Sequence, residues 1–305
     1  MRVEFRVDEA EGDTRLDRFL AGKIPAVSRT KIQQWIQAGL VRVNGKEATT
    51  GGRLTGGDRV EVNRPETPRN PPGPMAKDLG VEVIYEDDAL LVVNKRPGLV
   101  VHAGSGTDDE TLVNGLLYLS GGRLGIGDDP ERPGIVHRLD KETSGVLVAA
   151  KTTEALRNLQ TQFKARETRK FYNAWVQGRP KARAGTIDAP IGRHPVHRMK
   201  MALREDGRGA RTDWEVEVER ESGGERSLLK CRIHTGRTHQ IRVHLSSLGH
   251  PILGDQLYGF RPRSFVGLLP PRVMLHASSL TLTHPSSGEM MTFTTPLPED
   301  FNAYF

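Results

Sequence analysis

Residues 134 to 152 read GIVHRLDKETSGVLVAAKT, and the carboxylate of Asp140 stands between Arg138 and Lys141 in a charged run bounded by apolar residues. The apolar flanks predict two buried strands with a charged loop between them. Such a loop holds a carboxylate at the lip of the core on rigid supports, where a nucleophile or a base is useful. The commoner fate of a charged loop is a solvated turn, here with Asp140 paired to Arg138 or Lys141. Pattern alone favours that second reading.

Other chemistries lack their required groups. No GxxxxGK[ST] phosphate loop occurs, and the glycines at 51 to 57 and 121 to 127 lack the strand, GxGxxG and helix context of a dinucleotide site. Glycine-rich turns account for them better. His194 and His197, or His234, His239 and His244, are not set in an HExxH motif and have no cysteine partners, so we expect neither a metal site nor a nucleotide cofactor. Cys231 is the single cysteine, which excludes an intrachain disulfide and fits a reducing compartment. No apolar run approaches the length of a membrane span. The N-terminus alternates charge and hydrophobe instead of showing a signal-peptide progression. A cytoplasmic protein without membrane attachment is expected.

The elements that must position such a loop fall into two groups. At 305 residues two domains are expected, and RPETPRNPPGP at 64 to 74, with five prolines in eleven positions, reads as a semi-rigid linker. Before it, apolar spacing predicts helices over 15–23 and 28–38, with Ser28 as an N-cap and Gly39 as a stop. Val41 to Val43 followed by Asn44-Gly45 predicts a hairpin, which completes a small module of two helices and three to four strands. From 15 to 46 its basic residues are Arg15, Arg18, Lys23, Arg29, Lys31, Arg42 and Lys46, against Asp17 as the only acid. That imbalance, with a net charge of +6 over the chain, points to a phosphate backbone as partner. Beyond the linker, strands are expected over 81–85, 89–94, 145–150, 170–176, 213–218, 228–233, 279–283 and 290–294. Helices are expected over 111–119 and 152–164, so an α+β domain follows.

RLDRFLAGKIPAVSRTKIQQWIQAGLVRVNGK, in roughly the first sixty residues, resembles the S-four type RNA-binding domain of a small-subunit ribosomal protein. HRLDKETSG is similar to the signature of the RluA/RluD-type pseudouridine synthases. KFYNAWVQGRP at 170–180, HTGRTHQIRVHLSSLGHPILGDQLYG at 234–259 and MLHASSLTLTHP at 274–285 resemble further sections of that family in the same order. This second resemblance runs from residue 81 to the C-terminus. A related small-subunit rRNA family normally reads GRLD at the loop, without HRLDK and TSG, so the large-subunit branch is the better match.

The resemblance implies an RNA-binding domain over 1–63, a linker over 64–80, and a catalytic domain over 81–305 with a mixed, mainly antiparallel sheet. It implies isomerisation of uridines to pseudouridine in structured RNA, foremost 23S rRNA of the large subunit, with tRNA as the alternative substrate. The reaction breaks the N1–C1′ bond, turns the uracil and joins C5 to the same sugar, with no redox change and no cofactor. Asp140 would attack the sugar, stabilise charge at C1′ or remove a sugar proton. Arg242 would keep it ionised, with Arg237 as competitor; at about 4 Å and an effective dielectric near 20 the attraction is about 4 kcal/mol before desolvation. Tyr172 would stack on the everted base and Leu275 would line its pocket, while Arg138 is a candidate for a phosphate of that nucleotide. Two other readings stand beside this one: an rRNA-binding ribosome-assembly factor whose catalysis is dispensable, and a glycosidase that would release free uracil.

Overall fold

The computed structural model describes residues 2–24, 27, 29–63, 73–103, 110–127, 129–197, 199–221 and 224–305. The chain divides into two compact units, Met1–Pro72 and Gly73–Phe305. In the first, strand β1 (Arg2–Arg6) is followed by helices α1 (Leu16–Lys23) and α2 (Arg29–Gln37), then by β2 (Val41–Val43), β3 (Lys46–Glu47) and β4 (Arg59–Asn63). The strands form one sheet in the order β1-β4-β2-β3. The helical spacing closes the core as expected: Leu16, Phe19, Leu20, Ile32, Trp35 and Ile36 pack with Val41, Val60 and Val62. Asn44 and Gly45 both take positive φ, 52° and 78°, as the two-residue hairpin between β2 and β3 requires. Ser28, expected as an N-cap, and the side chain of Lys31 lie outside the described residues, as do positions 64–72 of the proline-rich stretch.

The one acid between residues 15 and 46 is an internal anchor. Asp17 is fully buried and accepts hydrogen bonds from Arg15, Arg29 and Gln33, the last at 2.7 Å. Part of the positive charge of Arg15 and Arg29 is therefore spent inside the unit, although both remain about half exposed. Arg18, Arg42 and Lys46 are exposed and carry no ion pair among the described residues. Burial alone would raise the Asp17 pKa, but the hydrogen bonds from Gln33, Arg29 and Arg15 outweigh it and hold it at about 2. A depressed carboxylate pKa contributes stability that is present above the unfolded value and is lost as pH falls through the folded one. Amide exchange of α1 and α2 in the full chain should therefore report a loss of about 2 kcal/mol between pH 4 and pH 2. Asp17→Asn should be less stable at neutral pH and flat across that window; an equal acid response in both proteins would refute the anchor.

In the second unit, β5 (Glu82–Glu86) and β6 (Leu90–Lys95) form a hairpin, helix α3 (Leu112–Leu119) follows, and β7 (Ser144–Ala150) leads into α4 (Thr153–Ala165). Then come β8 (Arg169–Gln177), β9 (Ala184–Asp188), the short hairpin β10 (Ile191–Arg193) and β11 (Met201–Leu203), β12 (Arg211–Arg220) and β13 (Arg226–Ile233). Helix α5 (Gln240–Ser247), β14 (Leu275–Thr283), β15 (Met290–Thr294) and α6 (Glu299–Asn302) complete it. Its large sheet runs β5-β6-β7-β14-β8-β13-β12-β9, with β15 also on β14. Among the described residues only the β7–β14 contact is parallel, so the sheet is mixed and mainly antiparallel.

Strand alternation separates two cores. Leu91, Val93, Leu147 and Ala149 enter one with α3 and α5, whereas Leu90, Val92, Val146 and Val148 enter another with α4. Cover on both faces explains why β7 is buried along its whole length and reads as an unbroken apolar run. Gly145 has φ 113°, and a Cβ there would lie 2.2 Å from Ala277 O, so only glycine permits the parallel approach of β7 to β14.

Two expectations are corrected. The loop before Asp140 is not entered from a strand: residues 134–136 contribute a single bridge, Ile135 to Ala149. The segment 75–79, read as linker, is fastened to the second unit, where Asn114 donates to Met75 O, Lys77 N–H donates to Asn114 O, and Leu79 joins the core. Among the described residues no helix is long and apolar enough to cross a membrane.

Candidate active site

The loop that carries Asp140 folds back over β7 and is held by polar groups where a strand was expected. His137 Nε2 accepts the Val148 N–H at 3.1 Å and its ring stacks on Phe163 at 4.8 Å. Accepting that hydrogen bond requires a neutral imidazole, and burial, with Lys170 nearby, pushes its pKa down to about 3. From beneath, two buried cations take the loop carbonyls. Lys95 Nζ donates to the carbonyls of Lys141, Arg96 and Leu99 at 2.9–3.0 Å. Arg272 Nη1 donates to Glu142 O at 3.1 Å while the same guanidinium is paired in bidentate fashion with Asp300. Burial draws the Lys95 pKa down to about 7 against the pull of Asp140 and Glu142.

Lys95→Met keeps the length of the side chain and removes a donor from three carbonyls, of which Lys141 O keeps the Gly98 N–H. It should cost about 2 to 4 kcal/mol, since each unsatisfied buried group costs about 1 to 3 kcal/mol, and it should slow turnover by loosening the Asp140 loop. Denaturant unfolding of the full chain tests this; a change under about 1 kcal/mol would show that the ammonium is not a keystone.

Above these anchors lies a cleft of about 440 Å³. All six residues singled out in the second unit line it: Asp140, Arg138, Tyr172, Arg237, Arg242 and Leu275. Arg242, on α5, is only 11% exposed and is not a helix-surface residue; its Nη1 donates to Asp140 Oδ2 at 3.1 Å. Arg237 instead turns its Nε to Gly209 O at 3.0 Å. Tyr172, on β8, and Leu275, at the start of β14, are buried and share the wall, where β8 and β14 are neighbours. Burial, then the Asp140 charge, raises the Tyr172 pKa, so the phenol stays protonated. Arg138 is exposed at the rim and has no ion pair among the described residues.

Four further residues shape the cleft and were not assigned a role from sequence. Asp255, with a side chain 1% exposed, grips Arg242 Nε and Nη2 at 2.6 and 3.0 Å. Burial by itself would lower the Arg242 pKa; the hydrogen bonds and charge of Asp255 and then Asp140 outweigh it and raise the pKa. The Tyr258 ring lies under the same guanidinium at 5.0 Å. His239 Nε2 is 4.0 Å from Asp140 Oδ2. Lys170 is two residues from Tyr172 on β8 and also faces the cleft, with its Nζ 5.3 Å over Phe163 and burial drawing its pKa down to about 8. The i, i+2 relation of Lys170 to Tyr172 was a usable signal in the sequence. Asp255 and Tyr258 had none, because their partners lie on other elements. Among the described residues no cluster of three or more His, Cys, Asp or Glu side chains is placed to hold a metal ion.

In this cleft a carboxylate is held to a guanidinium, with a tyrosine on the wall. Comparison with known proteins gives the class: residues 89–247 match the RNA pseudouridylate synthase family, residues 14–60 match the S4 domain, and the chain belongs to the RNA pseudouridylate synthase family. It is 46% identical over 308 residues to an uncharacterised RNA pseudouridine synthase of Aquifex aeolicus, covering 99% of this chain and 96% of that protein. It is 41% identical to ribosomal large subunit pseudouridine synthase D of Nitrosomonas europaea, covering 99% and 86% of the two chains. Among solved structures, human RNA pseudouridylate synthase domain containing 1 matches with a TM-score of 0.58 and 31% identity over 71% of this chain and 83% of that one.

Proposed function

We propose that this protein converts specific uridines of large-subunit ribosomal RNA to pseudouridine in the cytoplasm, with Asp140 as the catalytic carboxylate. The observation that carries this reading is the Asp140–Arg242 pair at 3.1 Å in a cleft whose wall includes Tyr172 and Leu275. The uridine leaves its stack at a cost of a few kcal/mol, and stacking on Tyr172 returns about 1 to 3 kcal/mol of it. Leu275 closes the apolar side of the ring, and Arg138 and Arg237 take phosphates at the mouth. Arg242, fixed by Asp255, presents one N–H to Asp140 and keeps its free oxygen turned toward the sugar. The 1–63 region, tethered through the proline-rich stretch that begins at 64, docks on folded RNA through Arg18, Arg42 and Lys46, assisted by the exposed parts of Arg15 and Arg29 and by Lys31. The large-subunit assignment draws on the relatives so named.

Mapping pseudouridines across total RNA from cells with and without this protein tests substrate and reaction together. Loss of sites in large-subunit rRNA is expected. Loss confined to tRNA would replace the substrate, and an unchanged map would overturn the proposal.

A further inference from the structure

His239 stands at the N-terminal boundary of α5 in a left-handed conformation, φ 56° and ψ 23°, which is uncommon outside glycine and asparagine. Strain of this kind persists where the surroundings hold a side chain to a task. The ring is fixed at its Nδ1 end. Its Nδ1 is 2.9 Å from the Tyr258 hydroxyl, and that hydroxyl accepts the Met201 N–H at 2.8 Å. With one lone pair occupied by a backbone donor, the phenolic proton can point at Nδ1, and in that arrangement Nδ1 is the acceptor and Nε2 the protonated nitrogen. The opposite tautomer would aim a bare Nε2 lone pair at the Asp140 carboxylate. Burial, the largest influence on the ring, keeps it neutral.

The Nε2–H therefore faces Asp140 Oδ2 across 4.0 Å, too far for a hydrogen bond between them. An oxygen placed about 2.8 Å from both atoms would subtend an angle near 90°, an undistorted arrangement for a group that accepts from one side and donates to the other. A uracil carbonyl only accepts and would meet the carboxylate lone pairs unfavourably. A ribose hydroxyl does both. Because the role proposed above sets Asp140 beside C1′, the hydroxyl in reach is the one on the neighbouring carbon.

We propose that His239, with its tautomer set by Tyr258, donates its Nε2–H to the 2′-hydroxyl of the target uridine, which in turn donates to Asp140. The contact makes the ribose of the everted nucleotide a recognised group alongside its base, and it ties the sugar to the carboxylate that acts on it. It rests on the reading of Asp140 given above, and it concerns only the sugar contact.

The test is a cycle between protein and substrate, using a synthetic RNA oligonucleotide that spans a mapped target uridine and the same RNA with 2′-deoxyuridine at that one position. Single-turnover pseudouridine formation is measured with the wild-type chain, His239→Asn and Tyr258→Phe. Asparagine tolerates the left-handed backbone but stops short of the Nε2 position, and phenylalanine keeps the ring beneath Arg242 while removing the hydroxyl. One hydrogen bond predicts that His239→Asn slows the ribose substrate by about tenfold to thirtyfold and the deoxy substrate by less than about threefold. Tyr258→Phe should give the same pattern with smaller amplitude, and it carries the test alone if His239→Asn fails to fold. Equal slowing of both substrates would overturn the inference, as would a deoxy substrate wholly inert with every protein. A wild-type chain that forms no pseudouridine in any RNA overturns the functional proposal as well.

Discussion

Asp140→Asn should lower single-turnover pseudouridine formation by at least about a thousandfold and leave RNA affinity within about threefold. The amide matches the carboxylate in size, so the cleft keeps its shape and Tyr172 and Leu275 keep their wall. What disappears is the negative oxygen that Arg242 holds at 3.1 Å. Binding should survive because the basic surface of the first unit and Arg138 at the cleft rim do not depend on that oxygen. The same variant separates the rival readings. A ribosome-assembly factor would support normal subunit maturation with asparagine at 140, and a glycosidase would have released free uracil and left an abasic RNA in the wild-type reaction. Retention of more than about a tenth of the wild-type rate would remove Asp140 from the chemistry.

Local spacing made the elements legible wherever both partners of a contact lie on one element. The α1 and α2 faces, the Asn44-Gly45 hairpin and the run of β7 are of this kind, because apolar period and turn chemistry act within a few residues. The β10–β11 hairpin and β9 were missed because they are short and half exposed, with no alternation strong enough to mark them. The approach to Asp140 was misread as a strand because GIV is apolar, whereas His137 supplies through its side chain a hydrogen bond that a strand would have supplied through its backbone. In the cleft, the residues marked by motif resemblance all line one space, from floor to rim. Their supports did not show, since Lys95, Asp255 and Arg272 act on Lys141 O, Arg242 and Glu142 O across 46, 13 and 130 positions. A sequence records which groups are present. It does not record which of them meet across the sheet.

Arg242→Lys should lower the rate by about a hundredfold although it preserves the charge. The guanidinium makes three directed contacts in one plane: Nε and Nη2 to Asp255 and Nη1 to Asp140. An ammonium is a compact point charge and cannot reach two carboxylates held on separate elements in that geometry, so it should stay with the more buried Asp255 and release Asp140. Affinity for RNA should change little, because Arg242 lies at the cleft floor. Arg242→Leu carries a second expected effect: Asp255, 1% exposed, loses its only cation among the described residues, and breaking such a buried pair costs about 3 to 5 kcal/mol. Rate and stability must then separate between the two variants. Lysine should impair turnover far more than folding, and leucine should impair both. If lysine turns over within about threefold of wild type, net positive charge is all that Asp140 requires, and the fixed orientation supplied by Asp255 and the Tyr258 ring is without consequence for the reaction.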